Sequence, residues 1–132
     1  MSYKTDAVQI MLRKAKGKLK MAGKALEEKE LDSCVSDLYY AAFQSVLALM
    51  ILKDVTQSKH QLARQWVNKE LAQKGLISIE QARMYNKLMD ARDDADYKTT
   101  VVFELKDVTD IYVEVDSFVS TMVKIIEKEG IS

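Results

Sequence analysis

The densest polar chemistry in the chain lies in Asp90-Ala-Arg92-Asp-Asp-Ala-Asp96-Tyr97, where one arginine stands among four aspartates. Ala82, Tyr85, Met89 and Arg92 recur at helical steps, so Arg92 falls on an apolar stripe and points inward. An inward guanidinium needs an anionic partner, because a buried unpaired charge is costly. Asp96, four residues on, supplies one if the helix reaches that far, and the pair would then clamp the following segment to the body of the protein. Lining a cleft, the same guanidinium is what a phosphate or a pentacoordinate phosphorane would meet. Calcium fits poorly, since the segment lacks the glycine and the Asp-x-Asp-x-Asp spacing of an EF-hand.

Counting removes other chemistries. A single histidine, His60, excludes an HExxH zinc helix and the paired histidines of di-iron bundles. One cysteine, Cys34, excludes an internal disulfide and a cysteine zinc site, and fits a reducing cytoplasm. Its reading is a small buried hydrophobe. Gly17 to Lys24 faintly imitates a phosphate-binding Walker loop, but it has one residue too many between its glycines, Ala25 where magnesium needs a hydroxyl, and a helical setting.

Charge is uneven beneath a formal net of zero. Residues 1 to 24 hold seven basic side chains and one acidic, whereas residues 90 to 116 hold three basic and nine acidic. These are solvated helix faces that attract each other within or between subunits, or else Arg13, Lys16, Lys20 and Lys24 contact an RNA backbone or an acidic partner. The N-terminus has no apolar stretch after a basic start, so no secretory signal is expected. The run Leu38 to Leu52 is interrupted by Gln44 and Ser45 and is shorter than a membrane span needs.

The elements that must position these groups are helices. The 132 residues contain no proline and four glycines, and their length suits one domain. Val8, Met11, Leu12, Ala15, Leu19, Ala22 and Leu26 mark one amphipathic helix, with Arg13, Lys16, Lys20 and Lys24 opposite. A second begins after Asp32 or Ser33 as N-cap and carries Val35, Leu38, Tyr39, Ala42, Val46, Leu49 and Met50, while Phe43 and Leu47 make it apolar nearly all round. Such a helix belongs at the centre of the domain or in a subunit interface. A polar connection, Lys53 to Lys59, leads to a short third helix ending at Gly75. Ser78-Ile-Glu-Gln81 reads as a capping box opening the fourth. Asp93 to Glu104 shows no helical period and is expected to be an ordered loop, with Thr99 to Phe103 β-prone but lacking a partner strand. The last helix is expected from about Asp107 to just before Gly130. The sum is an all-α, up-and-down bundle of four to five antiparallel helices forming one domain over residues 1–132.

Ser36-Asp-Leu-Tyr39-Tyr40-Ala-Ala-Phe43, Lys59-His60 and Arg92-x-x-Ala95-Asp96-Tyr97, in this order and spacing, resemble the HEPN domain family, in particular its small stand-alone prokaryotic branch. The resemblance implies a helical bundle, a homodimer, and a minimal nucleotidyltransferase as partner in a toxin–antitoxin-like pair. It also implies, in active members, metal-independent ribonuclease chemistry by an arginine and a histidine four to six residues apart. There a 2′-hydroxyl attacks the adjacent phosphate, arginine stabilises the added charge, and histidine moves protons. This chain keeps Arg92 but has Tyr97 where the histidine would fall, and a phenol of pKa near 10 is a weak base at neutral pH.

Three readings follow. The resemblance favours a homodimer that binds nucleotide or RNA, with Tyr39, Tyr40, Arg92, Asp96 and Tyr97 shaping the cleft, no cofactor, and no membrane. The enzyme reading is a ribonuclease toxin using Arg92, with His60 or Tyr97 carrying protons. In that case a partner nucleotidyltransferase would have Tyr97 as a modification site. The third is a helical scaffold in which Arg92 and Asp96 form a clamp and nothing more.

Overall fold

The computed structural model describes residues 2–55, 59–97 and 102–130, and the described residues form helices joined by short turns. Helix α1 spans Tyr3–Glu27, α2 Leu31–Leu52, α3 His60–Trp66, α4 Ile79–Tyr97 and α5 Leu105–Lys128. The chain past α3 continues as a π-helical turn, Val67–Ala72, whose wider winding re-aims Asn68 toward α4.

Ion pairs fix the directions. Lys4 meets Asp54 at 2.8 Å and Lys18 faces Asp37 at 3.8 Å, so α1 and α2 run antiparallel. Gln81 Nε2 donates to Thr121 Oγ1 at 3.1 Å, and together with the hollow shared by Met84, Val113 and Ser117 this sets α4 antiparallel to α5. The start of α2, at Asp32 and Ser33, meets the end of α4, at Ala95 and Asp96, while Tyr39 farther along α2 faces Tyr85 earlier in α4, so the four long helices alternate up and down, with α2 packed on α1, α4 and α5.

Helix α2 is the axis. It buries Cys34, Val35, Leu38, Tyr39, Ala41, Ala42, Phe43 and the run Ser45 to Met50. Its length and hydropathy would suit a bilayer, but most of its apolar surface lies against neighbouring helices. The buried Ser45 hydroxyl donates to its own helix at Ala42 O, 2.7 Å, which answers the cost of a polar group there.

The capping box forms as read: Ser78 Oγ accepts from Gln81 N at 3.0 Å, and Gln81 Oε1 accepts from Ser78 N at 3.1 Å. Gly75 sits at φ +74° before it, a left-handed conformation in which a side chain is strained. The Walker-like segment Gly17 to Lys24 lies inside α1 and makes no loop.

Three expectations are corrected. Helix α2 starts at Leu31 rather than after Asp32 or Ser33, because the turn from α1 closes through backbone bonds such as Glu30 N to Ala25 O at 2.8 Å, leaving Asp32 and Ser33 within the first helical turn. Helix α4 does not stop near Asp93 but runs to Tyr97: Asp93 and Asp96 both pair with Arg92, and Ala95 packs on the core, so this end has local partners although it lacks an apolar period. Helix α5 begins two residues earlier than expected, at Leu105. Part of the expected loop, residues 98–101, and with it most of the β-prone stretch, lies outside the described residues. Phe103 packs against the core.

Candidate functional site

The third and fourth turns of α2, the start of α3 and the stretch of α4 from Tyr85 to Asp96 converge on one cluster. Tyr39, Tyr40 and Phe43 come from α2, His60 opens α3, and Tyr85, Arg92, Asp93 and Asp96 come from α4. Tyr39 and Phe43 lie one turn apart and stack at 5.7 Å, and Phe43 in turn stacks on the His60 ring at 4.2 Å and 19°. Tyr40 meets His60 edge-on at 6.0 Å.

Arg92 lies across this aromatic floor, its guanidinium carbon 4.9 Å from the Tyr39 ring centre and 5.8 Å from that of Tyr40. Its side chain is 9% exposed. One terminal nitrogen faces Asp93 at 3.2 Å and the other faces Asp96 at 3.6 Å, both long beside a tight charge-assisted hydrogen bond of about 2.8 Å. Buried Nε has no hydrogen-bond partner among the described residues. Burial pulls the guanidinium pKa down, but Asp93, the two tyrosines and Asp96 outweigh it and hold the pKa above its ordinary value. The group is therefore a fixed, loosely paired cation.

His60 Nδ1 and the Tyr39 hydroxyl share a hydrogen bond of 2.6 Å. Burial, and then the positive charge of Arg92, push the His60 pKa below its ordinary 6.5, with Asp93 pulling partly back. The imidazole is thus neutral at neutral pH. Whichever of the two carries the bonding proton, Nδ1 is occupied and Nε2 is the nitrogen left for other chemistry. Burial raises the Tyr39 pKa to about 12, so this phenol stays protonated. Tyr85, behind it, is pushed well above the phenol range by burial and by Tyr39.

Beside the cluster lies a hollow of about 540 Å³ lined by Met21 of α1, Asp32, Ser33, Ser36 and Asp37 of α2, and Ala95 and Asp96 of α4. Asp96 belongs both to this hollow and to the Arg92 pair. Asp37 has its carboxyl pKa raised by burial, against the pull of Lys18. Lys18 reaches over the Tyr40 ring at 5.9 Å, closing the side toward α1.

The structure brings together Tyr39, Tyr40, His60, Arg92 and Asp96. Tyr39 is fully buried and acts on the others by packing and through its hydroxyl, whereas Tyr40 is only partly covered. Tyr97 is not in the cluster: it is 76% exposed on the last turn of α4, about 140° around the helix from Arg92. Cys34 is fully buried in the core, where burial and Asp37 raise its thiol pKa to about 11, so it is inert.

Sequence reasoning did not single out the frame that holds α3 on α4. Arg64 Nε donates to Asn86 Oδ1 at 2.9 Å and Nη1 to Asp90 at 3.1 Å, while Asn68 and Asn86 exchange hydrogen bonds of 3.3 and 3.1 Å. This network sets the distance of His60 from Arg92. No local pattern reveals it, because the partners lie 18 to 26 residues apart.

Comparison with known proteins gives the family of the chain. A sequence model of the HEPN domain matches residues 8–126, which covers every helix that builds the cluster. The chain belongs to the HEPN domain family. A relative in Thermotoga maritima, named "UPF0332 protein", is 31% identical over 127 residues, 96% of each chain. A second, in Methanocaldococcus jannaschii, bears the name "Putative toxin MJ0142" and is 26% identical over 99 residues, 75% of this chain and 67% of the relative. Five residues beyond Arg92 stands the exposed Tyr97, and the one histidine of the sequence, His60, lies at the start of α3.

Proposed function

We propose that this HEPN protein is a homodimeric, toxin-like partner of a minimal nucleotidyltransferase and binds a nucleotide or RNA phosphate at Arg92. The observation that carries the reading is Arg92 itself: a buried cation laid on two tyrosine rings, paired loosely enough that a phosphate can displace Asp93 or Asp96. The guanidinium fork matches two phosphate oxygens, and the aromatic floor fixes its plane. The hollow beside Asp96 gives a nucleoside room next to that phosphate. The name of the Methanocaldococcus jannaschii relative supports the toxin-like part. The two carboxylates weaken the cation in its resting state, which suits binding more than turnover.

A second reading, a metal-independent ribonuclease, is favoured by the position of His60. In the tautomer whose Nδ1–H donates to Tyr39, Nε2 of the neutral imidazole holds the lone pair that takes the proton from a 2′-hydroxyl, whose oxygen then attacks the adjacent phosphorus. The 5′-oxygen leaves with a proton from solvent or imidazolium, and Arg92 stabilises the charge added to the phosphorane.

Labelled single-stranded RNA is incubated in EDTA with the wild-type chain, Arg92→Ala and His60→Ala, each checked by circular dichroism, with anisotropy for binding and light scattering for mass. Binding without cleavage by a dimer, lost in folded Arg92→Ala, is the result expected. Cleavage that disappears in both variants establishes the ribonuclease, and a monomer with affinity for neither nucleotide nor RNA overturns both readings.

A further inference from the structure

Helix α1 carries a second electrostatic feature. Between Ala7 and Leu26 it contains six cations and no carboxylate, its acidic groups being confined to Asp6 and Glu27 at its ends. Arg13, Lys14, Lys16, Lys20 and Lys24 are all exposed, and none forms an ion pair among the described residues. Of these, Arg13, Lys14, Lys20 and Lys24 fall within about 120° of the helix circumference and run for about 17 Å along it. Gly17 lies among them with open space where its Cβ would be, so an extended chain can approach the helix backbone closely there.

This face is continuous with the Arg92 cluster. Lys14 flanks Lys18, whose ammonium stands over Tyr40, the ring on which Arg92 also rests. Met21, on the same edge of α1, lines the hollow shared with Asp96. On the opposite edge Lys16 shares a hollow with Asp116, Lys124 and Glu127, so part of its charge is offset. Within the acidic segment, Asp90 is bound to Arg64, and Asp93 and Asp96 face Arg92. Arg13, Lys14, Lys20 and Lys24 stay exposed to solvent, without an ion pair among the described residues.

We propose that this face of α1 is a docking track for the phosphate backbone of single-stranded RNA, delivering the strand past Lys18 to Arg92. The proposal rests on the reading of Arg92 as a phosphate site and adds the polymer to it. A mononucleotide has one phosphate group and needs Arg92 alone, whereas a strand is also held along the track, each released counterion steepening the salt dependence.

The test compares the wild-type full chain, the quadruple variant Arg13→Gln/Lys14→Gln/Lys20→Gln/Lys24→Gln, and Arg92→Gln. Each is assayed by anisotropy with a fluorescein-labelled oligouridine between about 50 and 200 mM salt, and by calorimetry with uridine monophosphate. The quadruple variant is expected to melt as the wild type does, to bind the mononucleotide unchanged, and to lose oligouridine affinity at least tenfold. Its log–log salt slope should be shallower by about 0.7 for each phosphate that the removed cations no longer neutralise. Arg92→Gln should weaken both ligands. Equal oligouridine affinity and slope in wild type and quadruple variant would overturn the track while leaving Arg92 standing. Wild-type failure to bind either ligand would overturn the phosphate reading and the track with it. A quadruple variant that changes mass in solution but not RNA affinity would assign the face to a protein contact and also overturn the track.

Discussion

At Arg92 a single side chain combines a structural and a chemical role, and the two separate by substitution. Arg92→Ala leaves Asp93 and Asp96 facing each other without a cation and empties the space over Tyr39 and Tyr40. Since the Asp93 side chain is half exposed and that of Asp96 is 29% exposed, water compensates part of the loss. Urea denaturation should show destabilisation of about 1–2 kcal/mol, below the figure for a fully buried pair. Arg92→Lys keeps the charge and should restore part of the stability but not phosphate affinity, because an ammonium cannot present the planar fork. His60, the one histidine, gives an isolated signal for proton NMR titration. Its midpoint should lie below 6.5 and move upward in Arg92→Gln, because burial and the guanidinium both disfavour the imidazolium. Its contribution to stability is fully present above pH 6.5 and is lost as pH falls from 6.5 toward the folded-state midpoint, where the unfolded chain binds the proton first.

At the scale of elements, local chemistry sets some of the helix ends. Ser78 and Gln81 close α4 by side-chain bonds, and Gly75 supplies the left-handed residue before it. The turn from α1 to α2 instead uses Lys29 at φ 58°, a conformation that suits glycine. Lys29→Gly should therefore stabilise by up to about 1 kcal/mol, read as a raised denaturation midpoint. Gly17 lies within α1 with nothing near its Cβ position, so Gly17→Ala should gain about 0.5–1 kcal/mol by the same measurement. The continuation of α4 past Asp93 was not legible locally. Asp93 to Tyr97 has no apolar period, and the helix there is held by pairs to Arg92 and by Ala95 against the core. The capping box and glycine are written within a few residues of each other, whereas those pairs depend on where Arg92 is already held.

For the whole molecule, stability rests on burying α2 on three sides. Phe118 of α5 is fully buried and packs against Tyr85 of α4 at 5.8 Å, so it joins the helix carrying Arg92 to the one that closes the bundle. Phe118→Ala should cost about 3–5 kcal/mol by equilibrium unfolding, a large share of the stability of a domain this size. Such a variant should also lose ligand binding through loosened α4 packing although Phe118 lies outside the cluster.

Periodicity, the lack of proline and the cap residues determined by themselves that the chain is a helical bundle, because a helix and its apolar stripe are specified by residues within a few turns of one another. Arg92 was legible for the same reason: its place on the stripe of Ala82, Tyr85 and Met89 is a local fact. Tertiary structure alone decided that His60 joins Tyr39 and Arg92, that Phe43 forms the floor beneath it, and that Tyr97 does not belong. His60 reaches Tyr39 from 21 residues away, placed by the Arg64–Asn86–Asp90 frame and the π-helical turn. Contacts of that span depend on how helices cross, a matter of packing that no short stretch of sequence encodes.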